Sequence, residues 1–155
     1  MNSEAELAAV MAHEISHVVA RHGIKRMQAA LGVQFAYELA FGSDGATDAI
    51  NAAIGVGMGL TFAGYSRNNE READTYGMHY MVSAGYNPQG AVAMFQKLAE
   101  LGGSGQSKYE KLVASHPDTQ ERISKAKAQI NTMKPLPDNL VLGQKIYLQM
   151  KARLK

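Results

Sequence analysis

Apolar residues recur at helical spacing along nearly the whole chain, and no stretch shows the strong apolar–polar alternation of a half-buried strand. Leu7, Val10, Met11, Ile15, Val18 and Val19 carry the first such run. Ser3 and Glu6 stand at its start with the spacing of a capping box, which serves backbone N–H groups that the first helical turn leaves without an internal partner. No Gly or Pro interrupts Ser3 to His22, and Gly23 fits a break or C-cap. The pattern predicts a first helix from Ser3 to about Met27, extendable to Leu39 beyond Gly23 and Gly32.

Residues 42–48 are turn-rich and predict a loop. Residues 49–63 are apolar and Gly-rich, interrupted by Asn51 and short for a membrane span. A buried helix with close backbone packing is expected there, in preference to a membrane-contacting hairpin. A second strong helix is predicted over Ser66 to Ala84, stopping at Gly85 ahead of Pro88. Pro88 fits the first position of a third helix, which runs to about Leu101 and stops at Gly102-Gly103. Gly102 to Ser107 reads as a flexible loop, Tyr109 to Ala114 as a short helix and Ser115-His116-Pro117 as a break. Asp118 would cap a helix to about Met133, and Pro135 and Pro137 then separate it from a last amphipathic helix over Leu140 to Leu154. The expected fold is mainly α: a core over residues 1–134, with 135–155 as a helical tail of the same domain.

Composition narrows the function classes. A chain of 155 residues supports one domain with its own core. The net charge of +2 is too small and too dispersed to argue for nucleic-acid binding. Cys is absent, which excludes a disulfide framework and thiolate ligation of a metal. The nine Met residues, Met78, Met81 and Met94 among them, read as core.

The chemistry concentrates in His13-Glu14-Ile15-Ser16-His17. Residues four apart on a helix share a face, so His13 and His17 can bind one metal ion from one side. Glu14 lies beside them, close enough to act as a base on a water at the metal. Catalytic zinc sites take such imidazole ligands and normally have three protein ligands with one open position. By helical phase His22 points away from the His13 face, and His79 reads as a surface histidine. The remaining carboxylates lie in Glu70-Arg71-Glu72-Ala73-Asp74, where Glu70 and Asp74 are one turn apart and Glu72 points elsewhere. A natural assignment makes Glu70 the third ligand and Asp74 the acceptor for the other N–H of a ligand histidine. From composition alone, a solvated charged face reads equally well.

His-Glu-x-x-His followed by Glu-x-x-Ala-Asp resembles the zinc endopeptidases related to CAAX prenyl protease, HtpX, Oma and BepA, which are gluzincins. Glu6-Leu7-Ala8 before the first motif, Ser66-Arg67 before the second, Gly77 after it, and Ser115-His116-Pro117 with Arg122-Ile123 downstream extend the resemblance over Glu4 to Ile123. It implies a helical gluzincin core holding one Zn2+ per chain through His13, His17 and Glu70, with Asp74 behind a ligand. It also implies that His116 and Arg122 form an active-site pair, with His116 donating to the oxyanion or capping the zinc in a resting state. The family's N-terminal sheet would be absent, so a partial domain is expected, and any membrane proximity would come through missing flanks. The resemblance points to the branch without membrane-spanning helices and to the bacterial cell envelope, in the periplasm or at a membrane. Substrates would be proteins or peptides cleaved at internal bonds, in protein quality control. The rival reading is a catalytically silent or latent zinc-binding module that grips client proteins. Glu14 argues against it, since a structural site needs no base. Neither reading fixes the oligomeric state.

Overall fold

A computed structural model describes residues 1–41, 66–102 and 119–154. Among these residues the chain is helical, with α1 (Glu4–Val19), α2 (His22–Phe41), α3 (Arg67–Ser83), α4 (Gln89–Gly102), α5 (Thr119–Thr132) and α6 (Gln144–Ala152). None of these helices is long and apolar enough to cross a membrane. The segments expected as the 42–48 loop, the apolar stretch 49–63, the loop through Ser107, the short helix Tyr109 to Ala114 and the break at His116 lie outside the described residues.

The start of α1 follows from its sequence. Ser3 Oγ accepts from the Glu6 N–H at 3.2 Å, and Glu6 Oε2 accepts from the Asn2 N–H at 2.9 Å. Such a cap contributes about 1 kcal/mol. The first apolar run is two helices, not one. The break falls at Ala20 and Arg21, ahead of Gly23, which lies inside α2. Arg21 takes φ 56°, and its N–H donates to Val18 O at 3.0 Å. Left-handed backbone costs a non-glycine residue on the order of 1 kcal/mol. The packing of His22, which is 0 % exposed, supports that turn.

The end of α3 is the ordinary glycine stop. Gly85 has φ 84°, its N–H donates to Val82 O, and the Tyr86 N–H reaches back to Met81 O at 2.8 Å. Together these bonds satisfy carbonyls that the last turn would leave unpaired. Asn87 Oδ1 accepts from the Gln89 N–H at 2.9 Å and opens α4. The last helix is shorter than its apolar pattern predicts because Val141 is drawn into a parallel bridge with Tyr86. Val141 N–H donates to Gly85 O and its carbonyl accepts from Asn87, while Leu142 O accepts from the Ala5 N–H at 3.1 Å. That last bond serves another orphan donor of the first turn of α1.

α1 is the hub, packed against α3 and α4, and α5 closes the far side of α4 and touches α3. The core joins Ala5, Ala9 and Ala12 of α1 to Met78 and Met81 of α3, Val92, Met94 and Phe95 of α4, and Ile123, Ala126 and Ile130 of α5. Helix approach is close. A β-carbon on Gly77 of α3 would sit 3.2 Å from the His13 backbone nitrogen, and one on Gly90 of α4 would sit 2.5 Å from the Ala5 backbone.

Candidate metal centre

Three buried side chains converge where α1 meets α3. Ligand-type atoms of His13, His17 and Glu70 all lie within 4.8 Å of one another. His13 Nε2 and His17 Nε2 are 3.0 Å apart. Glu70 spans both, with Oε2 at 3.4 Å from His13 Nε2 and Oε1 at 3.3 Å from His17 Nε2. Helical spacing on α1 supplies the two imidazoles, and the close approach at Gly77 brings α3 near enough for a carboxylate to meet them. A buried carboxylate is costly unless it is paired or ligates a cation. Arg122 Nη1 stands 3.3 Å from Glu70 Oε2, the oxygen that also faces His13, while Oε1 faces His17.

Each histidine is backed on its far nitrogen. His13 Nδ1 lies 2.9 Å from Asp74 Oδ1. Asp74 in turn receives the Arg122 guanidinium through two bonds, Nε at 2.8 Å and Nη2 at 2.7 Å. Arg122 reaches this position from α5, buried, with its guanidinium carbon 4.4 Å from the Phe95 ring centroid. His17 is backed differently. Its Nδ1 lies 2.8 Å from His22 Nδ1, and His22 Nε2 lies 3.1 Å from Glu72 Oε2.

The surroundings set the charges in opposite senses. Burial works against a charged His13, but hydrogen bonds to Asp74 and Glu70 outweigh it and leave its pKa above the ordinary value. Burial prevails at His17, whose pKa is lowered although Glu70 pulls the other way. Asp74 is held below the usual carboxylate range. Burial opposes this, and hydrogen bonds from His13 and Arg122 outweigh burial.

The structure thus gathers His13, His17, Glu70, Asp74 and Arg122 into one cluster. Glu14 projects from the same helix on an exposed face, and His79 is exposed and apart from the cluster. His116 lies outside the described residues. Two contributors escape the sequence pattern. His22 does not point away from the centre, because the helical phase that would turn it away stops at Arg21. Glu72 does face away from the three ligand-type groups, yet it reaches them through His22. Spacing alone carries no signal for this pair, since it depends on where the helix breaks.

A family model described as Peptidase family M48 matches residues 1–130. The chain is 34% identical over 148 residues to a beta-barrel assembly-enhancing protease of Yersinia pestis, with 88% of this chain and 29% of that protein covered. It is 36% identical over 135 residues to the mitochondrial metalloendopeptidase OMA1 of Arabidopsis thaliana, with 84% of this chain and 25% of that protein covered. It is 30% identical over 133 residues to the metalloprotease YcaL of Escherichia coli strain K12, with 84% and 51% covered. The chain therefore spans between a quarter and about half of the length of these relatives.

Proposed function

The chain belongs to peptidase family M48, and on that premise we propose that it is a zinc-dependent endopeptidase holding one Zn2+ through His13, His17 and Glu70. The observation that carries this reading is the convergence of those three buried groups on one point. Two imidazole nitrogens and one carboxylate oxygen suit zinc, and three protein ligands are the number that leaves a position open for chemistry. Magnesium and calcium would call for a mostly oxygen shell. When bound, zinc supplies Lewis acidity and lowers the pKa of a water in its open position to about 7.

The chain's own residues do the rest. Glu14 takes a proton from the attacking water at its carboxylate and returns it to the leaving amine. Its exposed position on α1, one residue after a ligand, lets substrate and water reach it. His13 donates its Nδ1–H to Asp74, which turns the Nε2 lone pair toward Glu70 and His17. Arg122 holds Asp74 and Glu70 in register, so it acts through the carboxylates it touches. By the family resemblance His116 would donate to the oxyanion or cap the metal at rest. Substrates are proteins or peptides cut at internal bonds. The name of the Yersinia pestis relative refers to β-barrel assembly. It supports a place in the bacterial cell envelope and a task in protein quality control there.

Zinc content and peptide cleavage, measured together on wild type and Glu14→Gln, test the mechanism. Equal zinc and a loss of cleavage by about a hundredfold or more are expected, the usual weight of general acid–base catalysis. A variant that cleaves as fast as wild type removes Glu14 from its role.

A further inference from the structure

We propose that His22 and Glu72 form a positioning relay that fixes the tautomer and ring orientation of His17. The inference rests on the metal-site reading above and extends it to residues that do not ligate.

With both rings neutral, as ligation requires of His17, the protons admit two orders along this chain of atoms. Between His17 Nδ1 and His22 Nδ1, 2.8 Å apart, one nitrogen must donate and the other accept. If His22 donates, neutral His17 carries its proton on Nε2, the atom that faces His13 and Glu70. His22 then presents a bare Nε2 lone pair to the Glu72 carboxylate at 3.1 Å, two acceptors face to face. If His17 donates, both shared hydrogen bonds are satisfied, and the one group still lacking a complement is the His17 Nε2 lone pair, which faces Glu70 and His13 and needs a cation. His22 carries its proton on Nε2 and gives it to Glu72, and the His22 Nδ1 lone pair accepts from His17. The His17 Nε2 lone pair is left for the metal. The carboxylate at the far end therefore selects the tautomer that can ligate, two rings away.

Burial sharpens this choice. His22 is wholly buried and its ring meets His17 edge-on, with centroids 4.9 Å apart. Water is excluded from the shared nitrogens, so a wrong tautomer could not be rescued by solvent. The left-handed turn at Arg21 acquires a reason as well. It follows the end of α1 at Val19 and brings the very next residue, His22, back against His17. Glu72 is less enclosed, with 43% of its side chain exposed, so its weight in the relay is smaller than that of His22.

Two measurements on the full chain test the relay. Long-range ¹H–¹⁵N spectra of the zinc-loaded protein report which ring nitrogen is protonated. The expected result is His17 as Nδ1–H and His22 as Nε2–H, and His22 as Nδ1–H would overturn the proposal. Zinc affinity by chelator competition is then compared across variants. His22→Leu should bind zinc about ten- to a hundredfold more weakly, the usual cost of removing an orienting partner. His22→Asn should recover most of the loss, because its side-chain carbonyl can accept from the His17 Nδ1–H. Glu72→Ala should weaken zinc by a smaller factor and mix the His22 tautomers. Equal loss in His22→Leu and His22→Asn, tracking metal-free melting temperature, assigns His22 to packing alone and contradicts the relay. If His22→Leu does not fold, Glu72→Ala decides, and unchanged tautomers with unchanged affinity contradict it. Absence of zinc binding in wild type would overturn the metal-site reading and the relay with it, whereas bound zinc with His22 as Nδ1–H overturns the relay alone.

Discussion

The two faces of α1 are assembled against the grain of hydrophobicity. The face packed on α3 and α4 carries Ala5, Ala9, Ala12, His13, Ser16 and His17, all buried. The other face carries Leu7, Met11, Ile15, Val18 and Val19, all exposed, Val18 at 76%. The exposed series continues along α2 through Ile24, Met27, Leu31, Phe35 and Leu39. Close approach explains the first face. Imidazole and carboxylate are short, so they can meet only if the backbones come near. Alanines on α1 and Gly77 on α3 allow that, where a leucine would hold the helices apart. Burying two imidazoles is tolerable because each ring nitrogen faces a partner.

If the polar face is held by the metal, removing the metal should have the largest effect. A ligand bound by the folded state alone adds about 4 kcal/mol when it exceeds its dissociation constant a thousandfold. For a domain of this size that amounts to roughly 10 °C in melting temperature. Calorimetry with and without chelator checks this, and an unchanged transition after confirmed zinc removal would count against a preformed site.

A finer break in the comparison is Gly77→Ala. The added methyl must move backbone atoms of Ala12 and His13 by a few tenths of an ångström. Overpacking costs about 1–3 kcal/mol, while the better helix former returns up to about 1 kcal/mol. Stability should fall modestly. Zinc affinity should fall further than stability, because the shift changes the distance between His13 and Glu70. Parallel melting and chelator-competition measurements separate the two effects.

The smallest effect belongs to the apolar face. Met11→Gln and Val18→Lys remove exposed side chains that the core does not use, so stability should stay within about 0.5 kcal/mol of wild type. Zinc affinity should not move. A large loss in either variant would mean that this face is buried by something else in solution.

The helices and the candidate ligands were legible in the sequence for different reasons. Capping at Ser3 and the stop at Gly85 depend on local chemistry, so the bounds of α3 and the start of α1 could be read directly. His13 and His17 needed only helical spacing, and Glu70 needed the family resemblance as well. The burial of α1 was not legible, since its apolar periodicity marks a helix without saying which face packs. His22 was misread because its direction depends on a break at Arg21 that no Gly or Pro announces. Glu72, which spacing turns away from the Glu70 face, still bears on the centre through its bond to His22.

The central claim is that one zinc sits between the polar face of α1 and Glu70 of α3. X-ray absorption at the zinc edge of the loaded protein tests it most directly, alongside the same measurement on Glu70→Ala. The account predicts one zinc per chain, with two imidazole nitrogens at about 2.0–2.1 Å and carboxylate oxygen at about 2.0–2.2 Å, and a sharp loss of zinc in Glu70→Ala. Fewer than two imidazoles in the shell, or full zinc retention without Glu70, would contradict it.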